Sequence, residues 1–230
     1  MKKRFTWKKI TVLGIVAVTI GIFILVASLS GGRESAVYKI AMRNLAEARF
    51  YMMQAQNENV RIQFFSGMRE EPYTIDGVAN PTVPFALINV EPRNASHHDD
   101  DILEGTLRIG EENIEVKLER NQFGRNFATD IGRLVEPGTP IQFILRHNND
   151  TVIFNLVPSM RENAIGWEEA LRIASKHFER ELRSAQNFAS YIKIITDHAN
   201  ISAFWFVQFV TTAQEVHFVV IGQDGTLIGT

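Results

Sequence analysis

ILEGTLRIGEENIEVKLER (Ile102–Arg120) carries the reading that decides the fold. Ile114, Val116 and Leu118 alternate with Glu115, Lys117 and Glu119, the period of two that puts apolar side chains on one face of a strand and charges on the other. Ile102–Ile109 reads as a neighbouring strand, and Gly110 as the turn after it. Working outward, Val60, Ile62 and Phe64 alternate with Arg61 and Gln63. Phe85, Leu87 and Asn89 alternate with Ala86, Ile88 and Val90. Pro140–His147 and Thr151–Val157 read as further strands. Asp76-Gly77, Asn80-Pro81, Pro137-Gly138 and Asn148-Asn149-Asp150 punctuate them. Many short strands without an intervening helix point to an antiparallel sandwich or small barrel, and we expect a sandwich-like β-rich domain over 58–160.

Before this segment the period is helical. Ile10 to Leu29 is twenty residues without a charge, long enough at about 1.5 Å per residue to cross a bilayer core of about 30 Å. Lys2, Lys3, Arg4, Lys8 and Lys9 precede it, and Trp7 stands at its edge. The expectation is a basic cytoplasmic tail (1–9), a transmembrane helix (10–29) in contact with the lipid bilayer, and an extracytoplasmic remainder. That arrangement places the protein at the cell membrane as a single-pass signal-anchor. Ser28 and Ser30 are spaced as at a signal-peptidase site, but the apolar run exceeds the usual 7–15 residues of a cleaved signal, which favours the anchor. Val37, Ala41, Leu45, Ala48, Met52 and Ala55 then recur at helical spacing, predicting a juxtamembrane helix over 34–56.

Charge narrows the partners. Residues 1–32 hold five basic side chains and no acid, so the rest of the chain has 19 basic against 26 acidic residues, a net of −7. That disfavours nucleic acid as a partner of the outer part. There is no cysteine, which removes disulfides, thiol catalysis and thiolate metal sites. A large disulfide-free extracytoplasmic chain suits a bacterial envelope.

In the last third, a helix opening GWEEALRIASKHF (Gly166–Phe178) is followed by the aromatic strand AFWFVQFV (Ala203–Val210) and by EVHFVVIGQDGTLIGT (Glu215–Thr230). Ala203–Val210 is apolar on both faces, as in a strand covered from two sides. This order of elements over 164–230 resembles a PepSY-type module, a small extracytoplasmic domain of bacterial membrane proteins and protease propeptides. The resemblance implies a C-terminal helix packed on a small antiparallel sheet, and binding or restraint of an envelope protein or peptidase. It carries over no catalytic residue. The overall expectation is therefore a membrane-anchored α+β protein.

Candidates for chemistry are few. His97-His98-Asp99-Asp100-Asp101 has metal-ligand residue types, but adjacent residues in one segment rarely close a coordination shell, so it reads as a solvated acidic loop. There is no Gly-x-Ser-x-Gly elbow, phosphate loop or dinucleotide fingerprint. No catalytic, cofactor or metal residue is assigned. RNQFGRNFATDIGRL (Arg120–Leu134) is a long loop candidate, since long loops in compact domains are often functional. The partner-binding candidates are Phe123, Arg125 and Phe127 from that loop, with Trp205 and Phe206 from the aromatic strand. The expected function is binding or regulation of an envelope partner without catalysis. The alternatives are a subunit of a membrane-associated assembly, with self-association, and an envelope hydrolase.

Overall fold

The alternating segments become strands of one continuous sheet in the computed structural model, which describes residues 35–93, 102–121, 126–147, 150–185, 187–197 and 202–230. A short helix, α1 (Ala36–Arg43), leads into β1 (Leu45–Gln56), β2 (Val60–Glu70) and β3 (Thr82–Pro92). Next come β4 (Ile102–Ile109), β5 (Glu112–Arg120), β6 (Phe127–Asp130), β7 (Ile141–His147) and β8 (Asp150–Pro158). Helices α2 (Trp167–His177) and α3 (Glu179–Ser184) follow. The chain then finishes with β9 (Phe188–Thr196), β10 (Ala203–Thr211), β11 (Val216–Ile221) and β12 (Leu227–Gly229).

The β-rich segment is a closed eight-stranded barrel, not a sandwich. Its order is β1-β2-β3-β6-β5-β4-β7-β8, and β8 returns to β1 through Met53↔Pro158 and Gln54↔Val157. Alternation shows that one face of each strand is buried, but a sandwich and a barrel both satisfy it. Closure is decided by where β8 meets β1, a contact between strands about a hundred residues apart. Eight strands leave an interior that side chains can fill. Leu107, Leu118, Phe127 and Phe143 fill it here, all fully buried, with Ile62, Phe64 and Ile88 from β2 and β3. Gly105 makes room for the Phe143 ring, which would stand 2.6 Å from any Cβ added there. The outward positions Glu104, Arg108, Glu115, Lys117 and Arg146 are charged and exposed. An outer-membrane barrel has the reverse pattern, apolar outward and polar inward.

The expected α+β, membrane-anchored fold class is corrected in two further respects. Leu45–Gln56 is a strand, so the predicted helix over 34–56 survives only as α1. Its Ala, Met, Glu and Gln favour a helix in isolation, but β1 pairs with β2 along nearly its whole length and with β9 and β8 on its other edge. Asn44 marks the change, donating from Nδ2 to Asn187 Oδ1 at 2.7 Å and to the Phe188 carbonyl at 3.1 Å. The single-pass anchor and the cell-membrane localisation built on it are corrected as well. Among the described residues no helix is long and apolar enough to cross a membrane. Residues 1–9 and 10–29, with the expected bilayer contact, lie outside the described residues.

Beyond the barrel the sheet continues from the first half of β1. β9 runs parallel to it (Glu47↔Tyr191, Ala48↔Ile192), and β10, β11 and β12 add on antiparallel. α2 covers one face, burying Ala170, Leu171 and Ala174 in an apolar cluster with Ile192, Trp205, Val207 and Phe209. The register moves by one residue at Phe50, a bulge whose ring stacks on Trp167 at 5.5 Å between centroids. That stack ties the start of α2 to β1.

Candidate functional site

Register places the side chains of β9–β11 on two faces. Ala203, Trp205, Val207 and Phe209 point toward α2 and are buried, while Phe204, Phe206 and Gln208 between them are only half-buried. Lys193 pairs with Phe206, Ile195 with Phe204, Val220 with Phe206 and Phe218 with Gln208, so all of these share the second face. Phe206 and Phe218 stack at 5.6 Å, yet Phe218 is 42% exposed and Val216 is 53% exposed. An aromatic pair of this kind left open to water is the strongest binding signature on the sheet.

One end of this second face is roofed by residues 71–81, the loop between β2 and β3. Tyr73 meets Tyr191 edge-on at 6.4 Å, and the Tyr191 hydroxyl donates to the Thr74 carbonyl at 2.8 Å. Glu70, 1% exposed, anchors the loop by accepting from the backbone N–H of Thr74 at 3.1 Å and of Asn80 at 3.0 Å. Gly77 fits because it has no side chain: φ is +83°, and an added Cβ would lie 2.3 Å from the Thr211 carbonyl.

Beside the loop sits a buried ionic triangle. Glu47, 3% exposed, accepts from Arg49 Nε at 2.8 Å, from the Tyr73 hydroxyl at 2.8 Å and from Lys193 Nζ at 3.1 Å. Burial works to raise the Glu47 pKa, but the Arg49 and Lys193 charges and the hydrogen bonds from Arg49 and Tyr73 outweigh it, holding it below the ordinary 4.5. Burial and the neighbouring Glu47 push the Tyr73 hydroxyl up, so it stays a donor. A general base working near neutrality needs a raised carboxyl pKa, so this triangle suits a latch and not proton transfer. The linkage has a sign. Because the folded value lies below 4.5, the carboxylate's contribution to stability is complete above about pH 4.5 and is lost as the pH falls through the folded pKa. Urea titrations across that range should give a steep acid loss for the native chain and a shallower one for Glu47→Gln. Identical slopes would remove Glu47 from the account.

The third feature is a groove of about 570 Å³ where β9 parts from β1. Arg49, Arg61 and Arg93 line it with Phe65, Ile194 and Asp197.

The candidates drawn from sequence fall in different places. Phe127 is fully buried inside the barrel, and Trp205 is 2% exposed, donating from Nε1 to the Ile165 carbonyl at 3.0 Å. Phe206 lies on the open face. Phe123 and Arg125 lie outside the described residues, as do His97 to Asp101. No group of three or more metal-ligating side chains occurs among the described residues. Phe218, Val216, Lys193 and the three arginines were not among the candidates. Val216, Phe218 and Val220 carried a signal in their alternation with His217 and Val219, but both sets are largely apolar, so the exposed set was not distinguishable. No family model matches the chain, and no curated protein or solved structure matches it.

Proposed function

We propose that the chain is a non-catalytic binding protein that docks one protein partner on the open face of β9–β11. The observation that carries this is the exposed Phe206–Phe218 stack with Val216 beside it, on a sheet whose other face is already covered by α2. Lys193 on the same face, joined through Glu47 to Arg49, gives the patch a cationic margin on an otherwise acidic chain. The matching partner surface is apolar with carboxylates at its rim. The PepSY-like resemblance of residues 164–230, whose members bind or restrain partners, points the same way.

The test replaces Phe218 with a photoreactive phenylalanine in the full chain, in the cells that make it. A discrete protein adduct is expected, mapping to a carboxylate-rimmed apolar surface, absent with the reactive group at exposed Asn155 on β8, and abolished by Phe206→Glu. An adduct of two copies of this chain would replace the proposal with self-association. Failure to form any adduct at 218, with the protein folded, would end it.

A further inference from the structure

The groove beside the patch is built differently from the patch itself. β9 pairs with β1 only as far as Ala48↔Ile192, while β1 goes on to meet β8 and β9 continues to Thr196. Two strands leaving a shared register open a crevice between them, the same geometric reason that ligands sit where neighbouring strands of open sheets diverge. Residues 194–197 form one wall, and Arg61 of β2, Glu91 of β3 and Arg93 just beyond β3 line the other.

Its chemistry is that of a carboxylate receptor with an apolar floor. Arg49 lies over the Phe65 ring, its guanidinium carbon 4.4 Å from the centroid, and its Nε is fixed on Glu47. A guanidinium held flat this way has further N–H donors in a fixed plane. Arg93 donates to Gln56 Oε1 at 2.6 Å on the exposed rim. Arg61 is paired with Glu91, and Asp197 stands on the opposite wall. The floor is Phe65, 6% exposed, and Ile194, 2% exposed. Ile195, next to that floor, pairs with Phe204, so the groove adjoins the open aromatic face.

We propose that this groove receives an acidic peptide segment of the partner, with its carboxylates on Arg93, Arg61 and Arg49 and an apolar side chain over Phe65 and Ile194. The proposal rests on the partner-binding reading above and names the recognised chemistry. Mixed lining selects against a plain polyanion. Glu91 and Asp197 interrupt the cationic surface, so closely spaced phosphates would meet a carboxylate between the arginines, whereas a short segment with spaced carboxylates can set each of them on an arginine.

Fluorescence anisotropy on the full chain tests it. The probe is a fluorescein-labelled peptide with glutamates around one leucine and one phenylalanine. Its counterpart has glutamine at every glutamate, and a thymidine oligonucleotide serves as the polyanion. The glutamate peptide should bind about tenfold more tightly than the glutamine peptide and weaken as salt rises. Arg93→Glu and Arg61→Gln, checked for native unfolding midpoints, should each lower its affinity by about tenfold. Phe206→Ser should leave that affinity within about twofold while removing the photo-adduct formed at 218. No binding of the glutamate peptide, equal binding of the two peptides, indifference to both arginine variants, or preference for the oligonucleotide would overturn the groove proposal. An intact adduct at 218 alongside any of these would leave the partner reading standing. Peptide binding in the groove with no adduct at 218 would end the partner reading alone.

Discussion

Gly67→Ala is expected to destroy the native fold, because the new methyl group has no space. A Cβ at Gly67 would lie 1.9 Å from the Ala48 carbonyl oxygen and 2.9 Å from its carbon, both backbone atoms of the neighbouring strand. Nothing flexible can yield there, so β1 and β2 must separate. They separate where the Phe50 bulge already shifts the register and where β1 passes from β9 to β8. We expect a loss of more than about 4 kcal/mol, enough to leave a domain of ordinary stability largely unfolded. Gly229→Ala is the matched control: it lies in exposed β12 with nothing within 4 Å of an added Cβ, and should change stability by less than about 0.5 kcal/mol. Near-ultraviolet circular dichroism and urea unfolding of the two variants decide the matter. A native midpoint for Gly67→Ala would show that the two strands are not held at this separation.

Glu70→Ala should produce the second largest loss. Removing the side chain leaves the Thr74 and Asn80 amides without their acceptor and takes a partner from the Tyr191 hydroxyl, 3.4 Å away. A fully buried donor left unsatisfied costs about 1–3 kcal/mol, and for these two half-buried amides a total of about 3 kcal/mol is expected. The effect should also be local in character. Hydrogen exchange at Thr74 and Asn80 should accelerate beyond what the global loss explains, because the backbone N–H groups of these two loop residues are both held by this one side chain. Uniform acceleration across the barrel would mean that the loop is held by its apolar contacts with Tyr191 and Val210 instead.

Loosening this loop bears on function. Tyr73 and Lys193 connect the loop to Glu47, Glu47 connects to Arg49, and Arg49 lies in the arginine groove. The roof of the aromatic face and the wall of the groove thus share one buried carboxylate. A Glu70 variant that retains the barrel should therefore still display Phe206 and Phe218 while leaving Tyr73 less well placed on Glu47.

Strand content was legible in the sequence wherever one face of a strand meets water. Ile114, Val116 and Leu118 against Glu115, Lys117 and Glu119 record the inside and outside of the barrel wall, because solvent sorts side chains by polarity at every second residue. The helix at Trp167–His177 was legible for the same reason at a different period, with Ala170, Leu171 and Ala174 turned inward. β1 was not legible. It is buried on stretches of both faces and paired on both edges, so no solvent-facing pattern was available to distinguish it from a helix of similar composition. Closure of the barrel, the bulge at Phe50 and the demand for glycine at 67 are decided by pairings between distant segments, which leave no local periodicity.

The site divides in the same way. Sequence alone determined that Ala203–Val210 is an aromatic strand with too much apolar surface for one face, and that the chain outside its first 32 residues is acidic. Only the tertiary structure decided that Trp205 belongs to the core and Phe206 to the open face, since α2 covers one side of the sheet and nothing among the described residues covers the middle of the other. Only the tertiary structure brought Arg49, Arg61 and Arg93 around Phe65. Arg49 and Arg61 come from β1 and β2 and Arg93 follows the end of β3, and what unites them is the parting of β9 from β1, a property of how strands pair and not of any segment's own residues.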